Sequence, residues 1–455
     1  MIKKNEEYIV NIIDNGSNGE GICKIDEFTI FVNGAIKDEK CKIKIVKVNK
    51  SFGYGKLLEI IEASPNRVVP DCVSYKKCGG CNLRHLKYEY TLKMKQEKIQ
   101  NLVNKTLNNK IQVSETLGMD IPKYYRNKAI FPVKEIDGKK VVGIFANRSH
   151  EVIEFEDCKI QSKEAQQIAK YIVETWTGTI YNEQTNKGTL RNIMIRVGSI
   201  SKEIMVVLVT NGMIDYDISG LIKQFPNIKT IIINDNHEVT NVVLSNTNKT
   251  IYGDGVIYDN LNEYKFQISP NSFFQVNSIQ TINMYSEAIK MAELKPTDEI
   301  CDLYCGIGTI SIFASRYVKK VYGIEIVHSS IENAKINAEI NDVNNVEFIE
   351  GDVEIAFDDF IKRNINIDVV IVDPPRKGLD NKTIDNLIRI KPRKIVYVSC
   401  NPATLVRDLQ MLENAYNLKQ IKPIDNFPYT NHIESVSVLE NKEENDWFRK
   451  SEKCI

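Results

Sequence analysis

The sequence predicts a protein of three parts, of which the C-terminal part is a doubly wound α/β domain. From about residue 269, apolar strand-like runs alternate with helical stretches, a rhythm typical of a parallel sheet with helices on both faces. A pair of glycines follows the first of these runs. Short alternating strands with glycine-rich turns occupy the first 62 residues. The predicted parts are therefore residues 1–62, 63–268 and 269–455.

The first part, residues 1–62, is predicted to be a small β-barrel. Its predicted strands are Tyr8–Val10, Phe28–Val32, Cys41–Val48 and Leu57–Ile61. Glycines between and within these runs supply the corners that a small barrel needs. Lysines at positions 42, 44 and 47 alternate with apolar residues on one strand, a pattern typical of oligonucleotide-binding barrels. The alternative is a purely structural appendage.

The central part, residues 63–268, begins with a cysteine-rich loop and a predicted helix over Tyr88–Leu107. The whole chain has 60 basic and 60 acidic residues, so binding to a polyanion requires a local patch. Such a patch runs from residue 76 to residue 148, where 16 Lys and Arg accompany six Asp and Glu. This excess favours contacts with RNA phosphates, the alternative being a solvated lysine-rich face.

Cysteines are concentrated in the loop that opens the central part. Cys72, Cys78 and Cys81 lie close together, and Cys158 is the nearest candidate for a fourth ligand. Four thiolates suit either zinc or an iron–sulfur cluster. Three clustered ligands with one distant ligand are more typical of a four-iron, four-sulfur centre, while zinc and unliganded thiols stay open as alternatives.

The C-terminal part carries five predicted strands, which are Glu299–Leu303, Lys320–Glu325, Val346–Ile349, Asp368–Asp373 and Lys394–Ser399. The first strand is followed by Gly306 and Gly308, where a ligand can approach bare backbone. Glu325 closes the second strand, at the place where a carboxylate can accept both ribose hydroxyls of an adenosine moiety. Asp373, Pro374, Pro375 and Arg376 close the fourth strand, at the edge where open α/β sheets hold ligands. S-adenosylmethionine fits all three features.

A thiol and a carboxylate near the C-terminus complete the candidate chemistry. Cys400 ends the fifth strand and precedes a predicted helix over Ala403–Leu412, whose N-terminus favours the thiolate. Glu434 follows about one strand-helix unit later. In one cleft, the thiolate can add to C6 of a uracil and the carboxylate can then remove the proton from C5. The alternative for Cys400 alone is a buried structural cysteine.

These motifs together resemble the bacterial RNA uracil-5-methyltransferases of the iron–sulfur-containing 23S rRNA type. The segments that carry the resemblance are Gly16–Gly21, Phe31–Ala35, Pro70–Cys72, Cys78–Cys81, His85–Leu86, Tyr125–Lys128 and Ser272–Asn277. The resemblance covers nearly the whole chain. It implies a Rossmann-like S-adenosylmethionine-dependent methyltransferase sheet preceded by a TRAM barrel of the oligonucleotide-binding type and a mixed central domain with an iron–sulfur loop. One departure is Tyr429, where many relatives carry histidine.

Residue roles follow from the same resemblance. Cys400 is the expected nucleophile and Glu434 the expected base. The expected contacts to S-adenosylmethionine are Gln275, Tyr304, Glu325 and Asp373. The expected ligands of a 4Fe-4S cluster are Cys72, Cys78, Cys81 and Cys158. The implied substrate is a uridine of 23S rRNA, and no protein partner is implied.

Two rival functions remain at this stage. An amino-group methyltransferase acting on adenine or guanine also uses a Pro-Pro loop, but an aromatic residue usually follows the prolines there, whereas this chain has Arg376. A non-catalytic RNA-binding protein that retains a methyltransferase-like domain is the second rival. The N-terminus lacks the apolar core of a signal peptide, and no apolar run approaches the ~18 residues of a membrane helix. We therefore expect a cytoplasmic protein in which the ten cysteines are not paired as disulfides.

Overall fold

The computed structural model of the protein describes residues 2–363 and 365–443. Its first part is a six-stranded sheet with the order β1-β5-β6-β4-β3-β2. The strands are β1 (Glu7–Asn11), β2 (Asp14–Asn15), β3 (Gly21–Ile25), β4 (Phe28–Asn33), β5 (Lys40–Val48) and β6 (Phe52–Glu62). Alternate residues of these strands, among them Ile30, Ile43 and Ile45, are fully buried in one cluster. The predicted strands are therefore present.

The predicted closure into a barrel is not found among the described residues. In the strand order, β1 and β2 stand at opposite ends and do not pair with each other. β2 has only two residues, which is too short to form a hydrogen-bonded pairing with β1 that would close the sheet. The chain just after β1 nevertheless lies beside β3, because the Ile13 amide donates a hydrogen bond to the Ile22 carbonyl at 2.8 Å.

The central part contains a seven-stranded sheet, a hairpin and three helices among the described residues. Its elements are α1 (Tyr88–Thr106), β7 (Lys128–Ile136), β8 (Lys139–Phe145), β9 (Val152–Glu154), α2 (Lys163–Thr175), β10 (Leu190–Val197), β11 (Ile204–Thr210), α3 (Ser219–Gln224), β12 (Ile228–Asp235), β13 (Asn248–Tyr252), β14 (Ile257–Leu261) and β15 (Tyr264–Ile268). The sheet has the order β13-β12-β11-β10-β7-β8-β9, and β14 pairs with β15 alone. All seven residues of β11 are buried, as its uninterrupted apolar sequence predicts.

The C-terminal part is a second seven-stranded sheet with helices on both faces. Its elements are α4 (Ser278–Ala292), β16 (Glu299–Leu303), α5 (Thr309–Ser315), β17 (Lys320–Glu325), α6 (His328–Ile340), β18 (Val346–Glu350), α7 (Val353–Lys362), β19 (Val369–Val372), α8 (Asn381–Ile390), β20 (Lys394–Ser399), α9 (Pro402–Leu412), β21 (Tyr416–Ile424) and β22 (Glu434–Asn441). The order is β18-β17-β16-β19-β20-β22-β21. The first five strands of this order are parallel, and β22 is antiparallel to both β20 and β21. The doubly wound prediction is confirmed.

Alternation along the strands divides the core of this sheet into two faces. Ile371 and Val396 face the cluster that contains the buried side of α4, whereas Val370 and Ile395 face the cluster that contains α8 and α9. Helix α1 joins the second cluster through Ile99 and Val103. The helix that follows the cysteine-rich loop thus packs directly on the C-terminal sheet. In the described part of the chain, no helix is both long enough and apolar enough to cross a membrane.

Candidate active site

The carboxyl ends of the parallel strands meet at one edge of the C-terminal sheet. Tyr304 follows β16, Glu325 ends β17, Asp373 follows β19 and Cys400 follows β20. Open α/β sheets bind ligands in the crevice outside these strand ends. The structure therefore gathers four of the predicted site residues at the edge where a ligand is expected.

The turn between β16 and α5 is built from residues with positive φ angles. Tyr304, Gly306 and Gly308 have φ values of 65°, 56° and 81°. A Cβ atom placed on Gly306 would meet no heavy atom within 4 Å, whereas one on Gly308 would lie 2.7 Å from Cζ of Phe348. Gly306 therefore leaves bare backbone open to a ligand, and Gly308 lets α5 begin against β18.

We expect Gly308→Ala to destabilise the fold and weaken binding of S-adenosylmethionine. The left-handed backbone alone costs a non-glycine residue about 1–2 kcal/mol, and the contact with Phe348 adds to that cost. Chemical denaturation and calorimetric titration with S-adenosylmethionine measure the two effects. The matched control is Gly351→Ala, because a Cβ there meets nothing within 4 Å. Equal behaviour of the two variants would contradict the role given to Gly308.

Glu325 is held by the backbone of two turns. Its Oε2 accepts a hydrogen bond from the Gly306 amide at 3.2 Å, and its Oε1 accepts one from the Val327 amide at 2.9 Å. Each carboxylate oxygen keeps a further lone pair, since a carboxylate can accept about four hydrogen bonds. This geometry leaves Glu325 able to accept from ribose hydroxyls beside the open backbone of Gly306.

Asp302 is a site residue that the sequence analysis did not select. Its Oδ2 accepts a hydrogen bond from the Ser311 hydroxyl at 2.6 Å, but its buried Oδ1 has no partner among the described residues. Burial, together with repulsion from Asp373 and Glu325, raises the pKa of Asp302 to about 7. The signal in the sequence was a carboxylate inside an apolar strand directly before the glycine turn.

Asp302→Asn is expected to stabilise the protein at alkaline pH. The folded-state pKa of about 7 lies above the unfolded value of about 3.9, so the native state holds the proton more tightly and loses stability as pH rises between these values. The variant removes this loss of stability, which is on the order of 4 kcal/mol at pH values above 7. Thermal unfolding at pH 8 and pH 4 measures it.

The stabilisation should be present at pH 8 and absent at pH 4. Asp385→Asn is the control, because Asp385 is exposed on α8. A gain in melting temperature of the same size at both pH values would contradict the assignment to the ionisation of Asp302.

Cys400 and Glu434 are brought together by an antiparallel strand pair. Ser399 at the end of β20 lies opposite Ser435 in β22. Extending that register by one residue places Cys400 opposite Glu434. Residues directly opposite on antiparallel strands have Cβ atoms about 4.5–5.5 Å apart. The thiol and the carboxylate that the sequence analysis assigned to one cleft therefore lie one residue beyond the last observed pair of the ladder, and Glu434 contributes, after burial, to the raised pKa of Cys400.

Asn401 ties the loop after β19 to the start of α9. Its Oδ1 accepts from the Ala403 amide at 3.2 Å, which caps the helix, and its Nδ2 donates to the Arg376 carbonyl at 3.0 Å. The Thr404 hydroxyl donates to the same carbonyl at 3.3 Å. These bonds hold the segment from Asp373 to Arg376 next to Cys400.

The site stabilises protonated acids rather than the thiolate. Burial, followed by repulsion from Glu434 and Asp373, raises the pKa of Cys400 to about 11, although Arg376 opposes the shift. Burial and Asp373 raise the pKa of Glu434 well above its usual value, and burial raises the pKa of Asp373 to about 7. The expected activation of the thiol by the start of α9 is thus outweighed in the free protein by burial and neighbouring carboxylates.

Gln275 lies on the far side of the same region, in the loop between β15 and α4. Its carbonyl accepts a hydrogen bond from Asn127 Nδ2 at 2.8 Å, and its Oε1 accepts from Asn426 Nδ2 at 3.3 Å. The Asn426 residue belongs to the segment that leads to Glu434. Gln275 is therefore connected to the loop that carries the candidate base.

A buried lysine of α1, Lys95, also contacts the segment before Glu434. The sequence analysis did not identify this residue. Lys95 forms an ion pair with Asp425 and donates to the Phe427 carbonyl at 3.2 Å. The ammonium group also opposes the rise in the pKa of Glu434. A signal was available, because Lys95 shares the buried face of α1 with Ile99 and Val103 at spacings of four residues.

The four predicted cluster ligands lie in one neighbourhood. Burial raises the pKa of Cys78, Cys81 and Cys158, and repulsion between their thiolates and that of Cys72 contributes. The Arg84 guanidinium favours the thiolate of Cys81, and its buried Nε and Nη2 have no conventional hydrogen-bond partner among the described residues. Four thiol ligands are suited to an iron–sulfur cluster, and the unpaired N–H groups of Arg84 can donate hydrogen bonds to its negative charge. Nevertheless, no group of three or more His, Cys, Asp or Glu in residues 2–363 and 365–443 is arranged to hold a metal ion.

The chain matches the models of two known protein families. The model of the tRNA (Uracil-5-)-methyltransferase family matches residues 87–442, and the model of the TRAM domain matches residues 3–58. The chain is 43% identical over 448 residues to a protein of Oceanobacillus iheyensis and 45% identical over 457 residues to one of Clostridium acetobutylicum. These alignments cover 96% of this chain and 97% and 98% of the two relatives. Both relatives are named as uncharacterized RNA methyltransferases.

A solved structure is similar over nearly the same length. It is the Pyrococcus abyssi tRNA (uracil-54, C5)-methyltransferase in complex with S-adenosyl-L-homocysteine, with a TM-score of 0.77 and 27% sequence identity. The match covers 95% of this chain and 100% of that chain. The similarity therefore extends over the first part, the central part and the C-terminal sheet together.

Proposed function

The chain belongs to the RNA uracil-5-methyltransferase family, and from this premise we propose that it methylates C5 of a specific uridine in 23S rRNA with S-adenosylmethionine as methyl donor. The observation that supports the proposal is the pairing of β20 with β22 up to Ser399 and Ser435, which directly precede Cys400 and directly follow Glu434, together with the effect of Glu434 on the pKa of Cys400. A nucleophile and a base are both required for substitution at C5 of uracil, because that carbon is not nucleophilic until C6 has been attacked. An amino-group methyltransferase would need neither residue.

The cofactor would lie over the edge formed by β16, β17 and β19. Glu325 would accept hydrogen bonds from the ribose hydroxyls, and the open backbone at Gly306 would lie against the ligand. Tyr304, Asp373 and Gln275 are the other proposed contacts. Asp302 has a buried oxygen without a partner, which suits a ligand that carries positive charge. Bound there, S-adenosylmethionine supplies an electrophilic methyl group.

The proposed mechanism assigns one step to each of two side chains. Cys400 in its thiolate form, having given up its proton to solvent, adds through Sγ to C6 of the uracil, so that C5 becomes an enolate-like nucleophile and accepts the methyl group. Glu434 in its carboxylate form then removes the C5 proton, the C5–C6 double bond forms again, and the bond between Sγ and C6 breaks. The uridine must leave its stack for these steps, because the faces of C5 and C6 are covered in stacked RNA.

Several features support RNA as the substrate. The TRAM domain match covers the first sheet, and the basic stretch of residues 76–148 follows it in the chain. Burial lowers the pKa of His432, two residues before Glu434, and the nearby positive charges of Arg376, Lys95, Lys98 and Arg126 lower it further. A cationic rim around the candidate base would attract the phosphates that flank a flipped uridine. The enzyme would meet such RNA in the cytoplasm, where the sequence analysis places it.

A uridine of tRNA is the second candidate substrate, because the similar solved structure is a tRNA (uracil-54, C5)-methyltransferase. The test is incubation with tritiated-methyl S-adenosylmethionine and undermethylated rRNA or tRNA, followed by nucleoside analysis of each digest. We expect 5-methyluridine in 23S rRNA. The same nucleoside in tRNA alone would establish the reaction and overturn the proposed substrate, whereas label in a methylated purine would overturn the reaction itself.

We further propose that Cys72, Cys78, Cys81 and Cys158 hold a 4Fe-4S cluster. Their common neighbourhood and the spare buried donors of Arg84 support this assignment. A four-cysteine cluster would cross-link the loop before α1 to the segment before α2, and its role would be structural.

Protein purified without oxygen is expected to contain iron and acid-labile sulfide in equal amounts. Replacing Cys78 by serine should remove most of both, because one of the four thiolate ligands is lost. Iron and sulfide analysis and visible absorbance measure the effect. Cys23→Ala is the control, since Cys23 is buried in the first sheet. Zinc without sulfide would favour the alternative metal.

A further inference from the structure

The segment that leads to Glu434 is held in place from outside the C-terminal sheet. We call residues 425–433 the base loop; it connects β21 to β22 and ends where Glu434 begins β22. Tyr429 in this loop has a φ angle of 63°, an unusual conformation for a residue other than glycine. A loop with such a backbone keeps one conformation only when surrounding contacts determine it.

Asn82, in the loop after Cys81, supplies two such contacts and also bonds to Asn18. Its Oδ1 accepts a hydrogen bond from the Asn431 amide at 2.9 Å, and its own amide donates to the Tyr429 carbonyl at 3.2 Å. Its Nδ2 donates to the Asn18 carbonyl at 3.1 Å. One side chain thus contacts both the base loop and the turn before β3, which belongs to the sheet that matches the TRAM domain.

An asparagine is chemically suited to this position. Its amide group has an acceptor and a donor, and both are used here, towards Asn431 and Asn18 respectively. The Asn431 side chain adds a weaker link, because its Nδ2 donates to Asn18 Oδ1 at 3.4 Å. Lys98 holds the same residue through its backbone carbonyl: its Nζ donates a hydrogen bond to the Asn431 carbonyl at 3.2 Å. Among the described residues, the hydrogen-bond acceptor for the Asn431 backbone amide is Asn82 Oδ1.

We propose that Asn82 is a positioning residue that fixes the base loop so that the Glu434 carboxylate meets the C5 proton. The inference rests on the proposed function. Asn431 lies three residues before Glu434, so a shift of its backbone is passed along a short, constrained segment to the start of β22. Misplacement of a catalytic group by 1 Å can cost roughly a hundredfold in rate.

The position of Asn82 predicts which step slows. Removal of the C5 proton depends on Glu434, whereas the attack of Cys400 on C6 depends on a thiol at the end of β20, outside the base loop. Asn82→Ala is therefore expected to lower the rate of adduct resolution by roughly tenfold to a hundredfold. Formation of the covalent adduct and affinity for S-adenosylmethionine should change little.

The test is a single-turnover reaction of the full-length protein with undermethylated RNA and tritiated-methyl S-adenosylmethionine. Covalent protein–RNA adduct is followed on denaturing gels, and released 5-methyluridine is followed by digestion. Asn82→Ala should accumulate methylated adduct that decays slowly. Asn82→Asp is the conservative variant: it keeps an acceptor for the Asn431 amide but loses the donor to Asn18, so it should resolve the adduct nearly as fast as wild type.

Three results would overturn the inference. In the first, Asn82→Ala releases product at the wild-type rate. In the second, both variants resolve the adduct equally slowly, which would show that the hydrogen-bond acceptor for the Asn431 amide is not the cause. In the third, Asn82→Ala loses adduct formation and cofactor binding together, which would indicate a general structural role. Failure of the proposed function is distinguishable, because then neither wild type nor Glu434→Gln forms an adduct under the same conditions.

Discussion

Cys400→Ala is expected to abolish methyl transfer and every trace of covalent protein–RNA adduct. The variant removes the only group of the proposed mechanism that can add to C6, and without that addition C5 does not become nucleophilic. Loss of a covalent nucleophile costs about 10⁶-fold in a well-studied hydrolase, so we expect a decrease of at least about 10⁴-fold. Incorporation of tritiated methyl into RNA and denaturing gels measure the two effects.

Cys400→Ala should otherwise behave as a folded protein. Cys400 is only partly buried, so its replacement by alanine leaves the core of the sheet intact. Calorimetric titration with S-adenosylmethionine and the melting temperature are the controls, and both should stay close to wild type. Turnover within tenfold of wild type would contradict the covalent mechanism and favour direct methylation at an amino group.

Glu434→Gln is expected to accumulate a methylated covalent adduct. The amide has nearly the same shape as the carboxyl group but cannot take the C5 proton, so the reaction should stop after methyl transfer. General-base catalysis contributes about 10²–10⁴-fold, and we expect release of 5-methyluridine to fall by that factor. A gel of the labelled reaction should contain protein that carries both RNA and methyl label.

The melting temperature distinguishes a folded Glu434→Gln protein from an unfolded one, because Glu434 is buried. Glu434 is 3% exposed, and burial, with repulsion from the neighbouring Asp373, raises the pKa of its carboxyl group. A neutral glutamine in that place should therefore leave the melting temperature at neutral pH unchanged or higher. Finding neither adduct nor product, with cofactor binding intact, would count against Glu434 as the base and for a role in forming the adduct.

The sequence was most informative where local patterns are short and regular. Three predicted strands, Glu299–Leu303, Lys320–Glu325 and Lys394–Ser399, have the observed bounds. Most others differ by one residue at an end, but β6 begins at Phe52, five residues before the predicted Leu57. Apolar runs bounded by glycine and polar residues predict buried strands because burial on both faces leaves no place for charge. The glycine turn and the carboxylate at the end of β17 followed from the same local reasoning.

The sequence was less informative about the first sheet and the cysteines. It predicted a closed barrel, but the described strands form an open order in which β2 is very short. Strand closure depends on how the ends of a sheet meet, which alternation alone does not encode. Likewise, the cysteine spacing predicts a cluster, while the described side chains form no ready metal site and the 4Fe-4S assignment stays a proposal.

The sequence by itself determined the family and the strand ends that carry Glu325, Asp373 and Cys400, because these depend on motifs within one strand and its turn. The tertiary structure alone decided three other features. β22 enters the sheet antiparallel beside β20, which pairs Ser399 with Ser435 and brings Glu434 near Cys400. Burial among carboxylates raises the pKa of Cys400 to about 11. Asn82 and Lys95 reach the base loop from elements more than 300 residues earlier in the chain. Each of these depends on contacts between distant segments, and such contacts leave no periodic pattern in the sequence.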